Sequence, residues 1–446
     1  MIQETTLKGF RLRIKASNSN VTGTCYHLEL FVPGGKTEEY LVDCGLFLED
    51  DTLEYNGVFL FNPKKIRAIL LTHYHVDHYG QIPIVYEQGF CGKVYSSEHT
   101  IENLKGKAMS NFFSERRARP EKPNYSEETT VKMIQNAQAL AYEKEYKLSE
   151  HVRIKIFPNA HLRGAVMFLV ICECEGHKIY TLFTGDYKVS KFPKGLEEYR
   201  DVPISIVTEG TYGIQEKPEP VFLSHLDNAF KANHTVIVTA TGEGRYDAVL
   251  AKLEEAKKKK IIPKDTIIFV EVKRASVDKL NREEKNPYIK YVSRPDEKRL
   301  AIYEKRPKVI IVNTRGGVTF FMQEMVSRDK VTIFFTNYIA PANRARTWID
   351  SSKQDEIKIG KESFIKHAKI IEVRDFCGHA FAEDIGKFLN NFTNIIGLFI
   401  GHGDKEAKRA LVPYLAKYSE LDRNIVFVLR RNIEYDLMEK VTKYYK

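Results

Sequence analysis

The chain contains no uninterrupted apolar run approaching the roughly 18 residues that span a bilayer, and no basic-then-apolar leader at its amino terminus. Neither a membrane span nor secretion is therefore expected. Cysteine is sparse, 6 in 446 residues, and no two form a Cys-x-x-Cys pair. That excludes a disulfide framework and points to reduced thiols in a cytoplasmic protein. Cys172 and Cys174 alternate along an apparent strand and share one face. There is no internal repeat and no low-complexity segment. Charge of neither sign is scarce: Lys and Arg number 69 against 59 Asp and Glu, a formal net charge of +10. Such an excess favours a polyanionic partner such as nucleic acid, though solubility alone tolerates it. With 43% hydrophobic and 11% aromatic residues the chain has enough apolar material for sizeable cores, and its length calls for two or three domains.

Alternation typical of strands runs through Phe10 to Ile14, Tyr26 to Phe31, Glu39 to Val42 and Ile66 to Leu71. From about Glu98 to Glu150 the texture is polar and helix-rich, broken by a loop from Arg116 to Asn124 with Pro120 and Pro123. Strands return at Val152 to Phe157, Val166 to Cys172, Lys178 to Phe183 and Ile204 to Val207. Between Gly213 and Thr347 strand-then-helix repeats predict an α/β domain with a parallel sheet. The lysine run Lys257 to Lys260 closes a helix there, where cations suit the dipole. It reads as a solvated face, with an RNA contact as the minority reading.

The most specific chemistry lies in Leu-Thr-His-Tyr-His-Val-Asp-His-Tyr-Gly, residues 71–80. His73, His75, Asp77 and His78 follow directly on the apolar run ending at Leu71. Imidazole nitrogens and carboxylate oxygens are what zinc accepts when no thiolate is offered. Three further candidates each close an apolar strand: His161 after Pro158-Asn159-Ala160, Asp186 in Phe-Thr-Gly-Asp, and His402 in Gly-His-Gly-Asp. A pair of ions also needs a carboxylate to tie them together.

The order His73-Tyr-His75-Val-Asp77-His78, His161, Asp186, His402 resembles the metallo-β-lactamase superfamily, and more narrowly its β-CASP branch of nucleic-acid-processing nucleases. Further markers are Glu209 in Thr-Glu-Gly-Thr-Tyr-Gly, His379 in Cys-Gly-His-Ala, Asp43 in Leu-Val-Asp-Cys-Gly, and Gly-Glu-Gly-Arg ending at Arg245. The resemblance implies an αββα sandwich over residues 1–212 and 348–446, with an inserted α/β β-CASP domain over 213–347. It implies two zinc ions. His73, His75 and His161 would hold the first, Asp77, His78 and His402 the second, Asp186 would bridge, and Asp43 would orient the site from behind.

Paired zinc lowers the pKa of water towards about 7 and neutralises a phosphoryl oxygen during in-line attack. His379, oriented by Glu209, is a suitable general acid for the departing oxygen, and Asp77 is counted with the catalytic set. The implied reaction is hydrolysis of single-stranded RNA. His402 resembles the RNA-acting members rather than the DNA-repair members. Thr-Tyr-Gly after Glu209 resembles the cleavage-and-polyadenylation endonucleases, and Cys377 and Phe381 stand where ribonuclease J-like exonucleases tend to carry hydroxyl residues. The stretch after His402 leaves no room for the extra carboxy-terminal domain common in ribonuclease J, and no appended amino-terminal RNA-binding domain is seen. An endonuclease is thus expected. The alternatives are a 5′→3′ exoribonuclease, an inactive scaffold subunit of an RNA-processing complex, and, least favoured, a small-molecule hydrolase. Arg163, Arg245, Arg315, Arg344 and Arg346 are candidates for gripping phosphates. Residue 160 is alanine where the family usually has glycine. The sequence leaves a homodimer open.

Overall fold

The computed structural model describes residues 9–18, 20–121, 123–188, 191–241, 243–273, 277–314, 319–336, 339, 344–431, 433–437 and 442–444. The chain divides into two compact units, Met1–Glu216 with Gly378–Lys446, and Lys217–Cys377.

The first unit is built on two mixed sheets. In one, Arg11–Ala16, Tyr26–Val32 and Lys36–Val42 run antiparallel, and Ile66–Leu70, Lys93–Ser97 and Ala137–Leu140 then add in parallel. In the other, Val152–Pro158, Val166–Cys174 and His177–Phe183 form an antiparallel meander, extended in parallel by Ile204–Thr208, Ile395–Ile400 and Val426–Val428. Period-two burial explains the inner faces. Leu12, Ile14, Leu28 and Leu30 of the first sheet share one core with Ile154, Ile156, Phe168 and Val170 of the second. Each large side chain buried there contributes about 1.5–3 kcal/mol relative to exposure. Cys172 and Cys174 belong to the same core, and all six cysteines are free thiols.

Helices cover both outer faces. Ile101 and Leu104 of the helix Glu98–Ala118 pack with Ile69 and Leu71. Ile385 and Phe388 of Ala382–Leu389, with Leu411 and Leu415 of Lys405–Tyr418, pack on Leu182, Ile206 and Leu398. The layering is helix, sheet, sheet, helix, as expected. No described helix is long and apolar enough to cross a membrane.

The parallel neighbours His177–Phe183, Ile204–Thr208 and Ile395–Ile400 have their carboxyl ends side by side. The loops leaving those ends carry Asp186, Glu209 and His402. Topology alone therefore brings three strand-end residues, distant in sequence, to one rim.

The second unit holds a six-stranded sheet in the order Ile289–Val292, Ile267–Glu271, Lys308–Val312, Thr235–Thr239, Val331–Phe335, Lys369–Glu372, with every pairing parallel. Its central strands are buried end to end, as a sheet covered on both faces requires. This unit continues past residue 347 to Cys377, because Lys369–Glu372 pairs with Val331–Phe335. The stretch 348–377, expected in the first unit, lies in the second. A four-residue edge strand with charged ends gives too weak a pattern to reveal its partner. Ala137–Leu140 and Tyr146–Lys147 leave no strand signature in the polar 98–150 region for the same reason: among them only Leu140 is buried.

Asp375 closes the second unit on itself, its carboxylate accepting the backbone N–H groups of Val221 (3.2 Å) and Phe222 (2.9 Å) at the start of the helix Phe222–Lys231. Asp375→Ala should cost about 0.5–2 kcal/mol, the usual worth of an amino-terminal helix cap. Denaturant unfolding checks this, and an unchanged midpoint would contradict it.

A candidate metal centre

The strand Ile66–Leu70 runs straight into the histidine-rich loop, which turns into the short helix Val76–Tyr79. Backbone bonds clamp this turn from behind: Thr24 N–H to the Asp77 carbonyl (3.0 Å), Cys44 N–H to that of His78 (2.7 Å) and Leu46 N–H to that of Val76 (3.0 Å). Gly45 sits so close that a Cβ there would lie 1.6 Å from the Asp77 oxygen, so no other residue fits.

Two groups of ligand atoms converge on this loop. His73, His75, His161 and Asp186 offer one set, and Asp77, His78 and His402 a second. In the first, His75 Nδ1 stands 3.0 Å from His73 Nε2 and 3.2 Å from His161 Nε2. Ligands at about 2.0–2.1 Å from zinc in a tetrahedron would stand about 3.3 Å apart, close to these separations. Asp186 lies between the groups. Its Oδ2 is 3.2 Å from His78 Nε2, 3.8 Å from His73 Nε2 and 4.0 Å from His161 Nε2, and its Oδ1 is 3.4 Å from His402 Nδ1.

Partners on the far side of each ring decide which nitrogen offers its lone pair. His161 Nδ1 is 2.8 Å from the Gly378 carbonyl, which only accepts, so the proton sits on Nδ1 and Nε2 is left bare. His78 Nδ1 faces Asp43 Oδ2 at 2.8 Å. Asp43 is fixed in turn by the Thr72 N–H (2.7 Å) and hydroxyl (2.8 Å). Thr211 donates its single hydroxyl proton to Glu209 Oε2 at 2.6 Å, so it accepts from His402 Nδ1 at 2.9 Å. The result is that His78 Nε2, His402 Nε2 and Asp186 Oδ1 are all buried without a hydrogen-bond partner. Three such buried atoms are costly unless cations satisfy them. The donor set, all nitrogen and oxygen, suits zinc.

The electrostatics fit the same reading. Burial holds the imidazoles of His73 and His161 well below their ordinary pKa, and that of His75 at about 4, so all three are neutral acceptors at pH 7. His78 behaves in the opposite way. Burial opposes its charge, yet Asp186 and Asp43 on either side raise its pKa well above the usual value. A proton there occupies the place of a metal cation, and metal uptake would release it.

Beside these groups stands His379, its Nδ1 2.8 Å from Glu209 Oε2 and 3.8 Å from Asp186 Oδ2. Glu209 is buried, and its Oε1 also accepts the Tyr187 N–H at 2.9 Å. Burial opposes charging His379, but Glu209 outweighs it and its pKa is raised to about 9. The His379 and Asp77 side chains keep 21% and 19% of their exposure, whereas His73 and His78 keep almost none, so the former two form the open side. Every residue expected at the metal site or as general acid is thus brought together. Thr72 and Thr211 are additional. Hydroxyl residues are too common for sequence to single them out, although Thr72 adjoins His73 and Thr211 lies two residues after Glu209.

The arginines fare differently. Arg163 is exposed two residues after His161. Arg245 is half-buried on the helix Glu243–Lys258 of the second unit. Arg346 is already engaged: Glu372 stands 3.0 Å from its guanidinium, which also donates to the Ile339 carbonyl, so its phosphate-gripping role is not supported. Arg315 and the Arg344 side chain lie outside the described residues. A further group, His27, Glu29 and Glu39, also approaches metal-ligand spacing, but the Lys15 ammonium 2.9 Å from Glu29 already supplies a cation.

The family model of the metallo-beta-lactamase superfamily matches residues 22–133. Among curated proteins, the chain is 22% identical to transcription termination factor FttA of Methanosarcina mazei, over 82% of this chain and 63% of that protein. It is 22% identical to an RNase J-like protein of Methanocaldococcus jannaschii, over 82% of this chain and 87% of that one. With endoribonuclease ysh-1 of Neurospora crassa it shares 28% identity, over 44% of this chain and 24% of the relative. The chain therefore spans less than two thirds of the length of the termination factor and of the endoribonuclease.

Ala160, next to His161, has φ +60°, a left-handed conformation that glycine adopts without steric cost. Ala160→Gly should relieve about 1 kcal/mol of that strain, partly offset by unfolded-chain entropy. Denaturant midpoints test it: a midpoint at or above that of the parent is expected, and a marked fall would contradict it.

Proposed function

The chain belongs to the metallo-β-lactamase superfamily, and on that footing we propose that it hydrolyses phosphodiester bonds of single-stranded RNA, as an endoribonuclease with two zinc ions. One observation carries the reading: a buried carboxylate within 4.0 Å of histidines from both ligand groups, with a histidine of raised pKa 3.8 Å from it. His73, His75 and His161 would hold one ion, Asp77, His78 and His402 the other, and Asp186 both. When bound, such ions supply Lewis acidity to a phosphoryl group and lower the pKa of water.

The protein's own residues do the rest. Asp43 keeps the proton of His78 on Nδ1, and Thr211 keeps that of His402 on Nδ1, so each ring presents Nε2. Glu209 holds the proton of His379 on Nδ1 and favours the charged ring, whose Nε2–H is then available to the departing ribose oxygen. As that oxygen takes the proton, the ring becomes neutral and the phosphoester bond is broken.

The endonuclease reading rests on Thr211-Tyr212-Gly213 and on Phe381. Phe381 stacks on Tyr212 with ring centroids 4.8 Å apart, putting an apolar side chain where a hydroxyl could hold a terminal phosphate. A 5′→3′ exonuclease is the second reading, favoured by the near full-length match to an RNase J-like relative.

Incubation of purified, zinc-loaded protein with circular and linear single-stranded RNA, with and without a chelator, tests the proposal. Cleavage of the circle, abolished by chelation, is expected. Mononucleotides from linear RNA with the circle intact would favour the exonuclease, and no cleavage of any RNA would contradict the proposal. His379→Ala should retain its metal and lose about 10²–10⁴-fold in rate. In the parent, activity should fall as pH rises through the His379 pKa. Neighbouring dications lower that pKa, so the alkaline limb is expected no higher than about 9.

A further inference from the structure

In the second unit all six strands are parallel, so the connecting helices run back and every strand begins at the same edge. That edge gathers lysines from connections far apart in sequence. It carries two concavities, of about 680 Å³ and 550 Å³, with His234 lining both. Lys260, Lys264 and Lys305 line the first, and Lys330 and Lys369 the second. All five are exposed, and none has an ion-pair partner among the described residues.

Helix ends alone do not account for them. Carboxyl ends of helices also lie at this edge and attract cations, but at the ends of Pro295–Tyr303 and Arg344–Asp350 buried lysines already serve the carbonyls. Lys308 donates to Ile302 (2.7 Å) and Glu304 (2.5 Å), and Lys366 to Trp348 (3.0 Å) and Ser351. Lys260 moreover occupies a left-handed position, φ +59°, at the end of the helix Glu243–Lys258, where glycine would cost less. Five unpaired ammonium groups along one concave edge repel each other and call for an extended polyanion.

We propose that this edge docks the phosphodiester backbone of single-stranded RNA. The inference rests on the functional reading above for the identity of the polyanion. The five side chains are all ammonium groups, which grip charge rather than bases and are indifferent to sequence.

The test uses the full chain with Lys260, Lys264, Lys305, Lys330 and Lys369 all changed to Gln, and binding of a fluorescent 30-nucleotide RNA in chelator, so that cleavage plays no part. The affinity should fall about tenfold or more near 0.1 M salt, and the salt slope should shrink by up to about 3.5, at about 0.7 per lost contact on a single strand. Variants changed only at Lys260, Lys264 and Lys305, or only at Lys330 and Lys369, should each show part of the loss, and they replace the fivefold variant if its melting temperature falls. Unchanged RNA affinity and slope would overturn the proposal. So would intact RNA binding with lost binding of polyglutamate, which would assign the edge to an acidic protein instead. Parent protein that cleaves RNA while the variant binds it as before removes the docking edge alone. Parent protein that neither binds nor cleaves RNA removes the functional reading as well.

Discussion

The carboxylate of Asp186, buried between two sets of imidazoles, is the constraint on which the rest of the site depends. A carboxylate so far from water is tolerable only if positive charge surrounds it. Burial pushes its pKa up, yet the neighbouring His402 and His78 hold it well below the carboxylate range. Its Oδ2 faces His73 and His161 of one ligand group and His78 of the other, its Oδ1 faces His402, and Oδ1 has no hydrogen-bond donor among the described residues. The arrangement is an unsatisfied one by the rules of an ordinary protein interior. It becomes satisfied when cations lie on both sides.

The fold makes that concentration of charge possible. Three parallel strands deliver Asp186, Glu209 and His402 to one rim. The parallel strand of the facing sheet delivers His73 through His78, and the common core of the two sheets holds both rims in place. Behind the rings, Asp43, Thr72, Thr211 and the Gly378 carbonyl contact the imidazoles or the carboxylates that hold them. These contacts fix the tautomers of His78, His161 and His402, so the nitrogen each would offer to a metal is already chosen. Glu209 links the proposed general acid to the proposed metal ligands, holding His379 by one bond and, through Thr211, His402 by another.

Much of this is legible in the sequence because chemistry and pattern coincide. Four ligand-type residues in six positions after an apolar strand rarely serve any purpose but metal binding, and His161, Asp186 and His402 share their place at strand ends. The strands of the first unit and the parallel second unit follow from period-two and continuous apolar runs, while the two-sheet layering is what the family resemblance implies. Residues 348–377 fall in the second unit against expectation because Lys369–Glu372 is too short and too polar to show what it pairs with. Arg346 looks free in the sequence and is not, since only the folded chain brings Glu372 to it. The threonines and the lysine edge are invisible there for a related reason: their meaning lies in which distant residues they meet.

The most direct measurement is zinc-edge X-ray absorption on the zinc-loaded protein, with Asp186→Ala beside it. A zinc–zinc vector of about 3.5–4 Å with nitrogen and oxygen ligands is expected, and it should vanish in the variant. A single isolated zinc, or a zinc pair unaltered by the loss of Asp186, would contradict the account.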